Sequence, residues 1–372
     1  DLSVLLSLDL LNNIRLKSMS PSNLGVLTEL DNLSFLQLDT VNIGDPSLLS
    51  ELTGLQSLLL RRNGLENLDD LAGLTGLVQL RVYDNIIPSY QPLEQLIWLN
   101  TLFLHNYYDE EDGEKVYPSF ATDLSPLSAM ENMENLRLEG TSPSDFSILS
   151  SFDKLSTLYL IGVPLAAPSF LQDLTTVRSL MLDKNEITDL TAISDLTDIK
   201  ELRIYNNKIT TFEPLELLTE IVTLKVNHVE VVNINSLANM TNLKTLKLFD
   251  TEVTDITLLK DLKELTGVSI GQSEYITDMS PLAGLEKLET LAWNTLPINE
   301  LDILKDFKAL KYLMFADKSG VDITPIKTLT GLERLKIELN DSFMCDELAS
   351  LQQSLPNTEI ETSEKLEVEC TG

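Results

Sequence analysis

The sequence predicts an α/β solenoid: stacked units that each contribute one short strand and one tight helical return. Three observations predict it. A 22-residue motif recurs along the chain, most legibly as VRSLMLDKNEITDLTAISDLTD from Val177, LQSLLLRRNGLENLDDLAGLTG from Leu55 and IKELRIYNNKITTFEPLELLTE from Ile199. Apolar residues keep fixed places within it. They make up 43% of the 372 residues, enough to bury along a stack that grows in one direction without enlarging a single core.

Fifteen units begin at Leu11, Leu33, Leu55, Leu77, Leu99, Met133, Leu155, Val177, Ile199, Ile221, Leu243, Leu265, Leu288, Leu310 and Leu332. In the unit from Leu55 the apolar places one, four, six, eleven, fourteen, seventeen and twenty are Leu55, Leu58, Leu60, Leu65, Leu68, Leu71 and Leu74. Places four and six are two apart, the period of a strand. Places fourteen, seventeen and twenty are three apart, which suits a 3₁₀ turn better than a long α-helix. Between them, place nine is Asn63, Asn85, Asn185 or Asn207 in four units. A buried amide there can bond the backbone of its own turn and of the adjacent repeat. Elsewhere the place holds Val41, Thr141, Val163, Val229 or Thr251, so the expected ladder is incomplete.

The pattern LxxLxLxxNxIxxLxxLxxLxx resembles leucine-rich repeats, and segments such as ITDLTAISDLT, ITDMSPLAGLEKL and ATDLSPLSAM are similar to the bacterial internalin-type class. The resemblance covers nearly the whole chain. It implies a right-handed, curved horseshoe with a parallel β-sheet on the concave face and 3₁₀ or short helical turns on the convex face. It also implies a secreted or surface-attached protein. It is specific for fold and not for partner, because the class binds many unrelated molecules.

The repeat is expected to span residues 1–344, beginning within a unit so that the natural N-terminus lies upstream, with a C-terminal cap over 345–372. Two features break its rhythm. The unit from Leu99 runs to Asn132, 34 residues in place of 22, with the added segment over 107–123. Tyr107, Tyr108, Tyr117 and Phe120 in an otherwise acidic stretch make a candidate recognition loop; a tolerated surface insertion is the alternative. A calcium loop fits poorly, because Tyr108 stands where a carboxylate is needed five residues before Gly113. The second break is the end, where DELASLQQSLPNTEIET reads as an amphipathic helix followed by a strand. Cys345 and Cys370, the only two cysteines, bracket it. They are a candidate disulfide, or else two free thiols. Two cysteines without a nearby histidine make a metal site improbable, and no metal or cofactor is expected.

Catalytic signatures are sparse: no HExxH, no GxxxxGK[ST] and no GxGxxG occurs. The single GxSxG, Gly267 to Gly271, falls on a predicted strand rather than a strand-turn-helix elbow. With only His105 and His228 in the chain, a hydrolase is disfavoured and a non-enzymatic protein expected. The formal charge of −31 argues against nucleic-acid or anionic-membrane binding, and no stretch is long enough for a transmembrane helix.

Places five and seven flank place six, so strand alternation turns them away from the core onto the sheet face. These 30 places carry nine basic and four acidic residues, whereas the remaining 342 carry 18 basic and 54 acidic. Aromatics are enriched on sheets in any case, but the reversal of charge is not so easily explained. The predicted contact residues are Arg81, Tyr83, Phe103, His105, Arg137, Tyr159, Met181, Arg203, Tyr205, Lys225, Lys247 and Phe249. Aromatics and arginine are the side chains most enriched at binding hot spots. The expectation is a monomeric protein-binding module facing a host or neighbouring-cell protein. A carbohydrate-binding surface module and a structural spacer are the alternatives.

Overall fold

The computed structural model describes residues 1–106, 109–111, 114–116, 120, 122–165, 168–271, 275–294, 301–317, 322–339 and 345–362. The chain divides into two compact units, Asp1–Asn185 and Glu186–Gly372.

In the first unit the strands Asn13–Met19, Phe35–Val41, Ser57–Arg61, Gln79–Asn85, Thr101–Asn106, Asn135–Glu139, Thr157–Ile161 and Ser179–Met181 form a parallel ladder in chain order. The register follows the repeat: Leu58 lies opposite Leu80, and Leu80 opposite Leu102. Across the lengthened unit the inward places stay aligned, since Leu102 lies opposite Leu136; the irregularity is at the end of its strand, where Asn106 lies opposite Asn85. Part of the added segment forms its own antiparallel pair, Asp109–Glu111 with Glu114–Val116. In the second unit the parallel strands are Glu201–Tyr205, Thr223–Val229, Thr245–Thr251, Gly267–Gly271, Thr290–Asn294, Tyr312–Asp317, Arg334–Leu339 and Glu359–Glu361. The helix Cys345–Ser354 buries Leu348 and Leu351, with Leu355 just beyond it, and leads into Glu359–Glu361. That short strand pairs with Arg334–Leu339. The leucine-rich-repeat arrangement expected from the 22-residue period is the one observed.

The three-residue spacing of the later leucines has a direct cause. Leu71 N–H donates to Leu68 C=O (2.9 Å), Leu74 to Leu71 (3.0 Å) and Leu77 to Leu74 (3.0 Å). Each bond is the i→i+3 bond of a 3₁₀ turn, which stacks every third side chain on one line. That line is the core: Leu68, Leu71, Leu74 and Leu77 are all buried.

Aspartates open many of these returns. Asp45, Asp123, Asp145, Asp189, Asp255 and Asp322 each accept the backbone N–H of the Ser or Thr two residues on, at 2.7–3.0 Å. Bonds from that residue's hydroxyl and N–H hold these carboxyls below the usual range; for Asp145 the N–H is the larger cause. A lowered folded-state value means stability that is present above the unfolded value, near 3.8, and lost as pH falls through the lower one. Thermal stability should therefore fall below about pH 4. Changing the six to Asn, which keeps the acceptor but not the titration, should flatten that fall in a pH-resolved melting series. Identical slopes would refute the assignment.

Place eight carries a second backbone signature. Ser18, Thr40, Arg62, Asp84, Lys184, Asn206, His228 and Asp250 all have φ between 49° and 57°, and Gly140 and Gly162 occupy the same place at φ 66° and 60°. In these ten units the turn out of the strand takes the left-handed region, which costs a residue with a Cβ roughly 1–2 kcal/mol, and more when it is β-branched. Thr40→Gly should therefore stabilise by about 0.5–1 kcal/mol in denaturant unfolding, after allowing for the greater freedom of glycine in the unfolded chain. Asn206→Gly should change little, because Asn tolerates this region.

Candidate functional site

Strand alternation settles which side chains face out. In the strands Gln79–Asn85, Thr101–Asn106 and Asn135–Glu139 the residues Leu80, Val82, Leu102, Leu104, Leu136 and Leu138 enter the core, each at most 1% exposed. Their neighbours at places five and seven form two rows on the opposite side. In the first unit the place-five row runs Arg81, Phe103, Arg137, Tyr159 and Met181, held side by side by the ladder. All five are half-buried. Arg81 places its guanidinium over the Phe103 ring, 5.2 Å from the centroid. The Phe103 and Tyr159 rings approach to 6.4 Å at a 34° tilt, although Arg137 separates them in the ladder. Arg81, Phe103 and Tyr159 thus form a continuous shelf of π-faces and one cation.

The place-seven row differs from the expectation. Tyr83 is half-buried, but His105 is only 8% exposed and Glu139 4%. His105 was expected to present a contact surface; it is instead clamped between two carboxylates. Its Nδ1 lies 3.3 Å from Asp84 Oδ1 and its Nε2 3.4 Å from Glu139 Oε1. The Tyr83 ring meets it edge-on at 6.3 Å. Burial foremost pushes the Tyr83 phenol above its ordinary value, with Arg137 and Arg81 opposing. Asp84 also accepts from Arg61 Nε (3.3 Å) and Arg62 Nε (3.0 Å), and Glu139 from Arg137 Nε (3.1 Å) and Nη2. Sequence reasoning missed Asp84, which sits at place eight. Its backbone is left-handed (φ 55°), and its carboxylate meets His105, Arg61 and Arg62.

In the second unit the place-five row begins Arg203, Lys225, Lys247 and Ser269, and the place-seven row Tyr205, Asn227, Phe249 and Gly271. Arg203 lies over Tyr205, 4.8 Å from its centroid, and Lys225 Nζ is 3.1 Å from Glu201 Oε1. Phe249 leans over Gly271, where an added Cβ would come within 2.7 Å of the ring and 1.9 Å of Asn294 Oδ1. Only glycine lets those two side chains close over the strand. Ser269 sits mid-strand in Gly267–Gly271, paired on both sides to Lys247 and Ala292, so the elbow that a GxSxG nucleophile needs is not formed.

The charge reversal seen in the sequence is partly neutralised in the fold. Lys17 lies 4.0 Å from Asp39, Lys225 is paired to Glu201, Arg137 to Glu139, and Lys336 is 3.4 Å from Glu338. Lys17–Asp39 and Lys225–Glu201 pair across strands and Arg137–Glu139 and Lys336–Glu338 within one, so fewer than the nine counted cations are available. Of the added segment's aromatics, Phe120 is half-buried, and its C=O accepts from Ser142 N–H at 2.9 Å. Tyr107, Tyr108 and Tyr117 lie outside the described residues, as do Cys370 and the Cys345 side chain, and with them the question of a disulfide. Among the described residues no cluster of three or more potential metal ligands occurs, and no helix is long and apolar enough to cross a membrane.

No family model matches the chain, and no curated protein matches it. Solved structures do. An internalin, InlF, from Listeria monocytogenes is 24% identical, with 87% of this chain and 86% of that chain covered at a TM-score of 0.61. A leucine-rich-repeat protein from Leptospira interrogans is 20% identical over 96% of this chain and 91% of that one, at 0.69. The leucine-rich-repeat ectodomain of the Arabidopsis receptor kinase HAESA, solved with a peptide hormone ligand, is 17% identical over 94% and 70%, at 0.57. The fold is the leucine-rich-repeat fold of bacterial internalins and related proteins.

Proposed function

We propose, from this internalin-type repeat fold, that the chain is a non-catalytic protein-binding module of a secreted or surface-attached protein, and that it meets its partner with the open face of its sheet. The observation that carries the reading is the shelf of Arg81, Phe103 and Tyr159 in the first unit, echoed by Arg203 on Tyr205 in the second. These are large, rigid side chains on a parallel sheet whose other side is a packed core. Such groups contribute area with little conformational entropy to lose on binding. Similarity to a receptor ectodomain solved with a peptide ligand supports a protein or peptide partner. The test is affinity for a partner isolated from surface or secreted proteins. Arg81→Ala with Tyr83→Ala, and separately Arg203→Ala with Tyr205→Ala, should each weaken it about tenfold or more. Undiminished affinity in both would overturn the reading. A glycan array should give no saturable signal.

A further inference from the structure

The cations on the first unit's face are not equivalent. Arg61 and Arg62 both donate to Asp84, and Arg137 donates to Glu139. Arg81 has no carboxylate or hydrogen-bond acceptor among the described residues, and its Nε is buried without a partner. Its one strong contact is the face of Phe103 at 5.2 Å. Guanidinium donors removed from water without acceptors are costly, and a stacked arginine has already lost much of its side-chain freedom. An arriving anion would fill donors that the folded protein leaves empty, at little further ordering cost. Two parallel N–H···O bonds from a planar fork fit a carboxylate best.

Local charge points the same way. Arg61, Arg62, Arg81 and Arg137 stand with Asp39, Asp84 and Glu139 on these neighbouring strands, an excess of one positive charge in a chain of −31. Asp84 and Glu139 are each engaged by an arginine and by His105, so neither is left to neutralise Arg81. The Phe103–Tyr159 shelf begins where the guanidinium ends.

Resting on the reading of this face as a protein-binding surface, we infer that Arg81 is its acid-recognising anchor. It takes an Asp or Glu side chain of the partner whose neighbouring aromatic or aliphatic residue lies on Phe103 and Tyr159. The whole chain repels acidic peptides, so an acidic preference has to come from a local site.

The test uses the full chain and a display library of random twelve-residue peptides. Selected peptides should be enriched in Asp or Glu beside an apolar residue. Arg81→Gln should weaken them at least tenfold, as should Glu→Gln or Asp→Asn in the peptide, and Phe103→Ala should weaken them too. Arg81 makes no hydrogen bond within the described residues, so its substitution should leave the far-UV spectrum and melting unchanged. Peptides that depend on Phe103 and Tyr159 but tolerate Arg81→Gln and carry no acidic enrichment would overturn the anchor and leave the face standing. Peptides indifferent to all three positions, or a selection that yields none, would count against both.

Discussion

Asn85→Ala is expected to destabilise the first unit by about 3 kcal/mol or more in denaturant unfolding. Asn85 is 2% exposed, and its Oδ1 accepts the N–H groups of Asn63 and Leu65, both at 3.1 Å, across the repeat boundary. Its Nδ2 donates to Tyr83 C=O at 2.9 Å and more weakly to Leu60 C=O at 3.4 Å. Alanine would leave two backbone N–H groups without their acceptor, each costing roughly 1–3 kcal/mol where water cannot reach. Tyr83 C=O would keep a bond from Arg62 N–H (3.0 Å), so it adds less. Asn63 is the internal control: its Nδ2 bonds Val41 C=O at 3.0 Å, but its Oδ1 is buried with no partner. Asn63→Ala should cost only about 1 kcal/mol. Equal losses at the two positions would mean that the amide ladder is not what ties neighbouring repeats.

Phe103→Ala combined with Tyr159→Ala is expected to lower partner affinity about 100-fold or more while barely moving stability. The two rings approach to 6.4 Å and are half-buried on the sheet face, so both their area and their mutual contact are offered to a partner. Hot-spot aromatics typically contribute 2 kcal/mol or more each, and the pair sums to several powers of e in Kd. The core beneath them, Leu102, Leu104, Leu158 and Leu160, is untouched by either change. A loss of affinity matched by a loss of folded protein would assign these rings to packing instead.

The architecture was legible because burial repeats. Places four and six are inward in every unit, and the three-residue spacing of the later leucines maps directly onto i→i+3 bonds. The Asn ladder was legible where it kept its place, at Asn85, Asn185 and Asn207. It was hidden at Asn106, one place early. Its Oδ1 accepts Ile87 N–H at 2.7 Å and its Nδ2 donates to Gly140 C=O at 2.8 Å, beside a register irregularity after Tyr83. A bulge shifts the numbering without shifting the chemistry, which a fixed period cannot represent. The face was legible in outline from alternation alone. Its charge was not, because pairing joins residues two apart, as in Arg137 with Glu139, or 22 apart, as in Lys17 with Asp39, and depends on side-chain direction as well as place. Burial of His105 between Asp84 and Glu139 had no one-dimensional signal, since all three sit on different strands.

The central claim, that the open sheet face binds the partner, is tested most directly by comparing affinities of three variants of one chain. One carries Ala at Tyr83, Phe103 and Tyr159, the second at Arg203, Tyr205 and Phe249, and the third at the exposed return-side residues Glu51, Gln172 and Leu217. The account predicts a loss of about 100-fold or more for at least one face variant and a change within about threefold for the return-side variant. Full affinity in both face variants, whatever the return-side variant does, would contradict it.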